Sequence, residues 1–441
     1  MKRKLIYLYI VVAGILLQSC NKYLDIQPVG TVVPSTESDF RALLTMGYAT
    51  FPSHKSLLLL RTDELILDPY SDDVDALRDI YIWNDESPAP TTLSYPWEQF
   101  YKSIFYANLL LTEIDSKLGD NDVTKQMKAE AYLLRAYGHF ELLNCYAPVY
   151  NEANKQHKGV PIAEKIDLEQ NFPVSTMEEV YTFITADIQH AMALLQTADQ
   201  PSNHRYRFSK RAVHAFAARL HLYRSEWGQA LSEAQAALAI EGGLVDLNID
   251  EALLPNDFES VESIQALDNP MTAQVNSSTS VSEDMLALYD RVNDKRFARY
   301  FEEKSGGEYK SRKGGNNKFK VSFRNGELYL IVAEAALHSE RKEVALEALQ
   351  TLAKHRLTGT AATEQTADLK MRSVSELLNF VQVERARELA LEGLRWYDLK
   401  RWGRPEIQHV FLDKTYTLQA GDPRYTIRYP KEAVENNPEL L

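Results

Sequence analysis

"VERARELALEGLRWYDLKRWG", residues 383–403, sets Glu384, Arg385, Arg387, Glu388, Glu392, Arg395, Asp398, Lys400 and Arg401 around Trp396, Tyr397 and Trp402. Ser373 and Glu376 form a capping box ahead of it, so the spacing predicts one long helix with Val383, Ala386, Ala390, Leu394 and Tyr397 as its apolar stripe. Opposite charges three residues apart lie side by side on such a helix. That pairs Glu384 with Arg387, Arg385 with Glu388, Glu392 with Arg395, Arg395 with Asp398, and Asp398 with Arg401. A catalytic centre calls for isolated groups with shifted pKa in a cleft. Neutralised pairs flanking aromatic rings read instead as pins between layers. Gly393 stands where a helix former would do better by roughly 1 kcal/mol, which implies that something packs close against it.

Upstream, helical spacing dominates. Residues 97–118 and 128–146 carry apolar side chains at three-and-four intervals, and Thr36 with Asp39 and Ser175 with Glu178 mark helix starts. Ser209 caps another. The segment 211–240 reads as two helices joined by a tight turn, and it is echoed at 325–356, where Ala333, Leu337 and Ala345 take the places of Ala218, Leu222 and Ala230. Recurrence of a helix-turn-helix unit with small residues at the crossings is the mark of tetratricopeptide-like stacking. The expected fold is therefore mostly α: helical hairpins forming a scaffold, with long irregular insertions at about 52–96 and 241–325 that carry a ligand site.

The first residues, "MKRKLIYLYIVVAGILLQSC", combine a basic start with an apolar run too short to span a bilayer comfortably, so 1–19 reads as a signal peptide. Leu17, Gln18 and Ser19 lead into Cys20 in the manner of a bacterial lipobox. Cys20 would then be the acylated first residue of a single mature domain, 20–441, held on a membrane face by its lipid. With Cys20 lipidated, only Cys145 remains, so no internal disulfide forms, and its setting in "FELLNCYAPVY" reads as core filling. The 62 acidic residues outnumber the 49 basic ones, giving a net charge of -13. That balance disfavours nucleic acid as a partner.

Common catalytic signatures are missing from the sequence: no Gly-x-Ser-x-Gly, His-Glu-x-x-His, phosphate-binding loop or Cys-x-x-Cys occurs. No catalytic residue, cofactor or metal ligand is assigned. His214 and His221 read as scaffold histidines, and "DPYSDDVD", 68–75, lacks the spacing of a calcium loop. Residues 291–324 hold eleven Lys or Arg against four Asp or Glu, either a solvated loop or a cationic lip for an acidic ligand.

"RARELALEGLRWYDLKRWG" strongly resembles the C-terminal signature of the SusD/RagB family of nutrient-binding outer-membrane lipoproteins of Gram-negative bacteria. Further matches follow in family order: "CNKYLDIQP", "WEQFYKSIFYANLLL", "AEAYLLRAYGHFELL", "GVPIAEK", "VYTFITADIQHAMALL", "SKRAVHAFAARLHLYRSEWGQAL", "FRNGELYLIVAEAAL" and "RYPKEAVENNPEL". The longer connection "NCYAPVYNEANKQHKGVP" departs from the family pattern. The resemblance implies a non-catalytic, surface-exposed lipoprotein that captures a glycan and hands it to a TonB-dependent, SusC-like barrel. The alternatives are a binder of peptide or another non-sugar nutrient and a surface glycoside hydrolase. Sugars are gripped by aromatic faces and side-chain hydrogen bonds. Tyr70, Tyr81 and Trp83 in the first insertion and Tyr309, Arg312 and Asn316 in the second are accordingly the expected ligand residues.

Overall fold

The computed structural model describes residues 34–166 and 172–440. The chain divides into a short unit ending at Ser35 and a unit from Thr36 to Leu441, whose fold follows. The expected signal segment and Cys20 lie outside the described residues.

Helix α1 (Glu37–Thr50) starts at a capping box in which Thr36 and Asp39 satisfy each other's backbone amides. Short helices α2 (His54–Leu59) and α3 (Val74–Tyr81) follow. Two long helices come next, α4 (Trp97–Leu118) and α5 (Asp122–Tyr146). Asn121 caps α5 through the amides of Val123 and Thr124. Helix α5 is buried on nearly every side because α1, α4 and α6 (Met177–Leu194) all pack on it. The cap of α6 is Thr176 with Glu179, one residue beyond the expected Ser175 and Glu178, at the end of a short strand, Val174–Thr176.

The repeated unit consists of α7 (Lys210–Tyr223) with α8 (Trp227–Ile240), and later a matching second pair. Three short helices, α9 (Ala273–Ser278), α10 (Glu283–Leu286) and α11 (Lys295–Tyr300), intervene. The second pair is α12 (Asn325–His338) with α13 (Lys342–Arg356). Ala218, Ala230, Ala333 and Ala345 are all fully buried, so the small residues let the helix backbones approach at the crossings. The turns repeat as well. Ser225 and Glu340 both sit at φ 59, at matching places, and their amides donate to Leu222 and Leu337.

The insertions differ from the irregular loops expected. They contain α2, α3 and α9–α11, and an antiparallel pair joins one insertion to the other: β1 (Leu65–Leu67) sets Leu65 opposite Val281 on β2 (Thr279–Val281). Leu59, Leu65, Tyr81, Met271, Tyr300 and Phe301 form a second core that neither insertion could bury alone. The elements are too short for a sequence period to register.

The expected long helix over 383–403 is also broken. Helix α15 (Val374–Glu388), reached through α14 (Gly359–Met371), stops at Glu388, and the chain restarts as α16 (Arg395–Arg401). Leu391 and Gly393 adopt φ 62 and 72 between them. A Cβ on Gly393 would lie 2.5 Å from the Lys55 Cβ, the close approach its presence implied. The buried Glu64 carboxylate accepts the Leu391 amide at 2.7 Å and so fixes the turn.

Breaking the helix redirects its charges. Glu384 with Arg387 and Asp398 with Arg401 pair as expected, at 2.9 and 2.8 Å. The others reach across the fold: Arg385 binds Asp398, and Arg395 binds Asp63. Glu388 takes Arg324 at 2.6 Å, Arg356 at 2.9 Å and Arg296 at 3.1 Å, while Glu392 takes Lys313 at 2.5 Å and Arg324 at 2.8 Å. Burial alone would raise the Glu388 carboxyl, but Arg356, Arg324 and Arg296 outweigh it and hold it well below the usual carboxylate range. The basic segment is therefore neither simply a solvated loop nor simply a lip. Arg296, Lys313 and Arg324 point inward and fasten it to the end of α15.

Candidate functional site

The expected ligand residues fall into two groups. Tyr81 and Trp83 are 1% exposed and offer no ring to solvent. They sandwich His409, each with its ring centroid 4.1 Å away, and the Trp83 indole donates to the Arg61 carbonyl. Their place in a loop-like, aromatic-rich stretch suggested exposure; the second core buries Tyr81 and the main core buries Trp83 instead. The other group lies outward. Tyr70 is 86% exposed, and Arg312 and Asn316 are exposed. Tyr309 is half-buried against Phe297, with the Arg291 guanidinium over its ring and its hydroxyl donating to Glu303 at 3.2 Å. Both insertions are stitched to α9 and β2 here: the Asp68 amide donates to Ser278, and Lys310 donates to the Ser277 and Thr279 carbonyls.

None of the six lines either large concavity. One, of about 560 Å³, lies where the end of α1 meets both insertions and the segment ahead of α7. Its walls are Thr45, Tyr48 and Ala49 from α1, then Phe51 and Ser53, then Ser202, Asn203, Arg205 and Tyr206, with Phe258, Glu259, Ala266, Leu267, Asn269, Asn317 and Lys320 opposite. Backbone bonds tie these walls together: Ala266 donates to Arg205, Phe258 to Lys318 and Val321 to Asp268, at 2.9 to 3.0 Å. Asn316 contributes from behind, its side-chain oxygen accepting the Lys318 amide and holding the 317–320 turn.

The floor is rigid. Burial raises the Tyr48 hydroxyl well above its ordinary pKa, and the Glu130 carboxylate beside it adds to the effect. Tyr48 therefore stays protonated and donates to Glu130 at 3.2 Å, while its oxygen accepts the Phe208 amide. Tyr206 packs edge-on to Tyr48, with ring centroids 5.3 Å apart, and Arg207 lies over the Tyr206 ring. Tyr206 and Phe258 remain half-exposed.

The rim carries unused hydrogen-bonding capacity. The side chains of Asn203, Asn269, Asn317, Glu259 and Lys320 have no hydrogen-bond or ion-pair partner among the described residues. Carboxamides beside half-exposed rings suit a ligand with hydroxyl groups and apolar ring faces. The sequence signal lies in "GGNNKFK", where the expected Asn316 sits beside Asn317 and Lys320, which line the pocket in its place, and in "DNP", which holds Asn269.

A wider cleft of about 1090 Å³ lies between the 79–101 stretch and the C-terminal segment, lined by Tyr95, Trp97, Tyr101 and Tyr429. Part of its polar lining is engaged, while the side chains of Glu98, Gln99 and Asn436 have no hydrogen-bond or ion-pair partner among the described residues. Tyr101 and Tyr429 donate to the Pro161 and Gly159 carbonyls, and Arg428 pairs with Glu86. Trp97 packs against Tyr101, Tyr146 and Tyr429. The smaller pocket is the better candidate for recognition.

Among the described residues, no helix is long and apolar enough to cross a membrane. Cys145 is buried in the main core, as expected, and burial pushes its thiol up to about 12. His214 and His221 bind Glu233 and Glu226 on the scaffold.

A family model described as starch-binding associating with outer membrane, SusD-like, matches residues 22–222, and a SusD family model matches residues 257–438. The SusD-like protein P38 of Formosa agariphila is 26% identical over 243 residues, which are 53% of this chain and 44% of that protein. For the SusD-like protein P25 of the same organism the match is 49% of its length, so the chain spans about half the length of these two curated relatives. A SusD superfamily crystal structure from Bacteroides thetaiotaomicron aligns with a TM-score of 0.77 at 21% identity, over 92% of this chain and 98% of that one. A laminarin-binding SusD-like protein aligns with a TM-score of 0.61 at 19% identity, over 84% and 92% of the two chains.

Proposed function

This chain belongs to the SusD/RagB family, and we propose that it is a non-catalytic receptor that captures a glycan in the pocket between α1 and the two insertions. The observation that carries the reading is the set of side chains Asn203, Asn269 and Asn317, without partners among the described residues, beside half-exposed Tyr206 and Phe258. Rings pack on the C–H face of a pyranose while carboxamides, each donor and acceptor, take its hydroxyls. The volume lies within the range of small-ligand sites, enough for a few sugar units. Among the described residues lining the pocket the carboxylate is Glu259 alone, and glycoside hydrolysis by the usual route needs a facing pair.

The lipobox-like Cys20 would tether the protein to the outer membrane at the cell surface, and a TonB-dependent, SusC-like barrel would receive the glycan. Calorimetric titration of the purified protein with neutral and acidic oligosaccharides, repeated with Asn269→Ala, tests the binding reading. Saturable heat that weakens in the variant is the expected result. Heat from peptides alone would overturn it in favour of another nutrient, and reducing sugar released at low protein concentration would overturn the claim that the protein only binds.

A further inference from the structure

Resting on that glycan-binding reading, we infer that the pocket takes an anionic glycan, one bearing a uronate carboxylate or a sulfate ester, and that Lys320 is the residue that selects it. The chain is acidic as a whole, yet the charge around this pocket runs the other way. Lys320 lies at the end of the 317–319 turn, lines the pocket, and has no ion-pair partner among the described residues.

Arg205, on the facing wall, is only partly neutralised. Asp199 accepts one of its terminal nitrogens at 3.1 Å and also binds Arg211 at 2.8 Å, so one carboxylate serves two guanidinium groups. That trio keeps one net positive charge. The Arg205 Nε is buried and has no partner among the described residues. Glu259, which also lines the pocket, opposes an anion. Lys318, which binds Asp257 at 2.9 Å, also feels Glu259 and offsets it in part.

A lone ammonium facing a guanidinium group that keeps net positive charge suits a carboxylate or sulfate, and charge-assisted bonds are the stronger kind. A neutral sugar would leave both unmatched. Three other cations of the second insertion, Arg296, Lys313 and Arg324, do not compete for this role, because they are committed to Glu388 and Glu392 inside the protein.

The test titrates the full mature chain with oligogalacturonate for the carboxylate source, carrageenan oligosaccharides for the sulfate source, and laminarin oligosaccharides as the neutral control, at low and at 0.5 M salt. At least one anionic series should bind more tightly than laminarin and weaken with salt. Lys320→Met should cost that series about tenfold in affinity and the neutral series less than about twofold, with Lys320→Arg retaining most of the binding. Which anionic series responds separates carboxylate from sulfate. Laminarin binding without anionic binding, or an equal loss on both in Lys320→Met, overturns the inference and leaves the glycan reading standing. Absence of binding to all three series together with binding of peptide overturns both.

Discussion

Glu388→Gln removes one charge from a buried cluster and leaves its shape. Glu262, Asp294, Glu384, Glu388 and Glu392 there face Arg296, Lys313, Arg324, Arg356 and Arg387, so the cluster is balanced. Arg296 would retain Asp294 and Glu384, and Arg324 would retain Glu392 and Glu262. Arg356 suffers most: it gives Glu388 both its Nε and a terminal nitrogen, each at 2.9 Å, and would keep Glu262 as its one carboxylate, with the Val245 and His355 carbonyls. Breaking a buried pair from one side costs about 3–5 kcal/mol, because a desolvated charge is left behind. For a cooperative body of about 400 residues, unfolding entropy near 2 cal/mol/K per residue turns that cost into a fall of about 4–6 °C in Tm. Differential scanning calorimetry at pH 7 is the assay.

The pH dependence adds a second constraint. A carboxyl held below its unfolded value of 4.5 stabilises the fold above that pH, and the contribution is lost only as pH falls through the folded value. The gap between wild type and variant should therefore persist from pH 7 to pH 5. A Tm within about 1 °C of wild type, or a gap that closes by pH 5, would refute the claim that Glu388 holds three arginines.

Gly393→Ala should lose about 2–4 kcal/mol in urea denaturation, since a side chain at φ 72 is strained and its Cβ meets Lys55. Glu64 is pushed up to about 7, chiefly by burial, with the Leu391 amide opposing. The folded state therefore holds that proton more tightly than the unfolded chain, and stability declines as pH rises from about 4.5 to 7. Across that window Glu64→Gln should gain on wild type by about 3 kcal/mol in paired denaturation curves; parallel curves would count against a buried, proton-bearing Glu64. Trp83→Ala should cost about 3–5 kcal/mol of stability with glycan affinity unchanged, whereas Tyr206→Ala should weaken affinity about tenfold at nearly wild-type stability.

The scaffold was legible because long helices repeat their signal many times. The alanines at 218, 230, 333 and 345 mark the crossings, and the charged stretch at 383–403 reads as structural before any contact is known. Its partners were not legible. Spacing on an ideal helix pairs Arg385 with Glu388, but Arg385 takes Asp398 from beyond the break at Leu391 and Gly393, and Glu388 takes arginines 32 to 92 residues away along the chain. The pocket failed for a related reason. Its walls come from the end of α1, the 202–206 stretch, 258–269 and 317–320, and nothing local announces that these converge. Trp83 and Tyr81 looked exposed because their surroundings are rich in Pro, Asp and Asn, while the apolar residues that cover them lie in other segments.

The arginine cluster also governs how the recognition surface can behave. Lys313 and Arg324 anchor the two ends of the span that presents Asn317 and Lys320. A loop staked at both ends is restrained in place, so its hydrogen-bonded amides at Lys318 and Val321 should exchange with deuterium more slowly than those of an untethered loop. Ligand capture then forfeits little chain entropy, and the shape of the gap is set before any cargo arrives. Retargeting such a receptor becomes a matter of exchanging a few outward-facing side chains above a foundation that stays put.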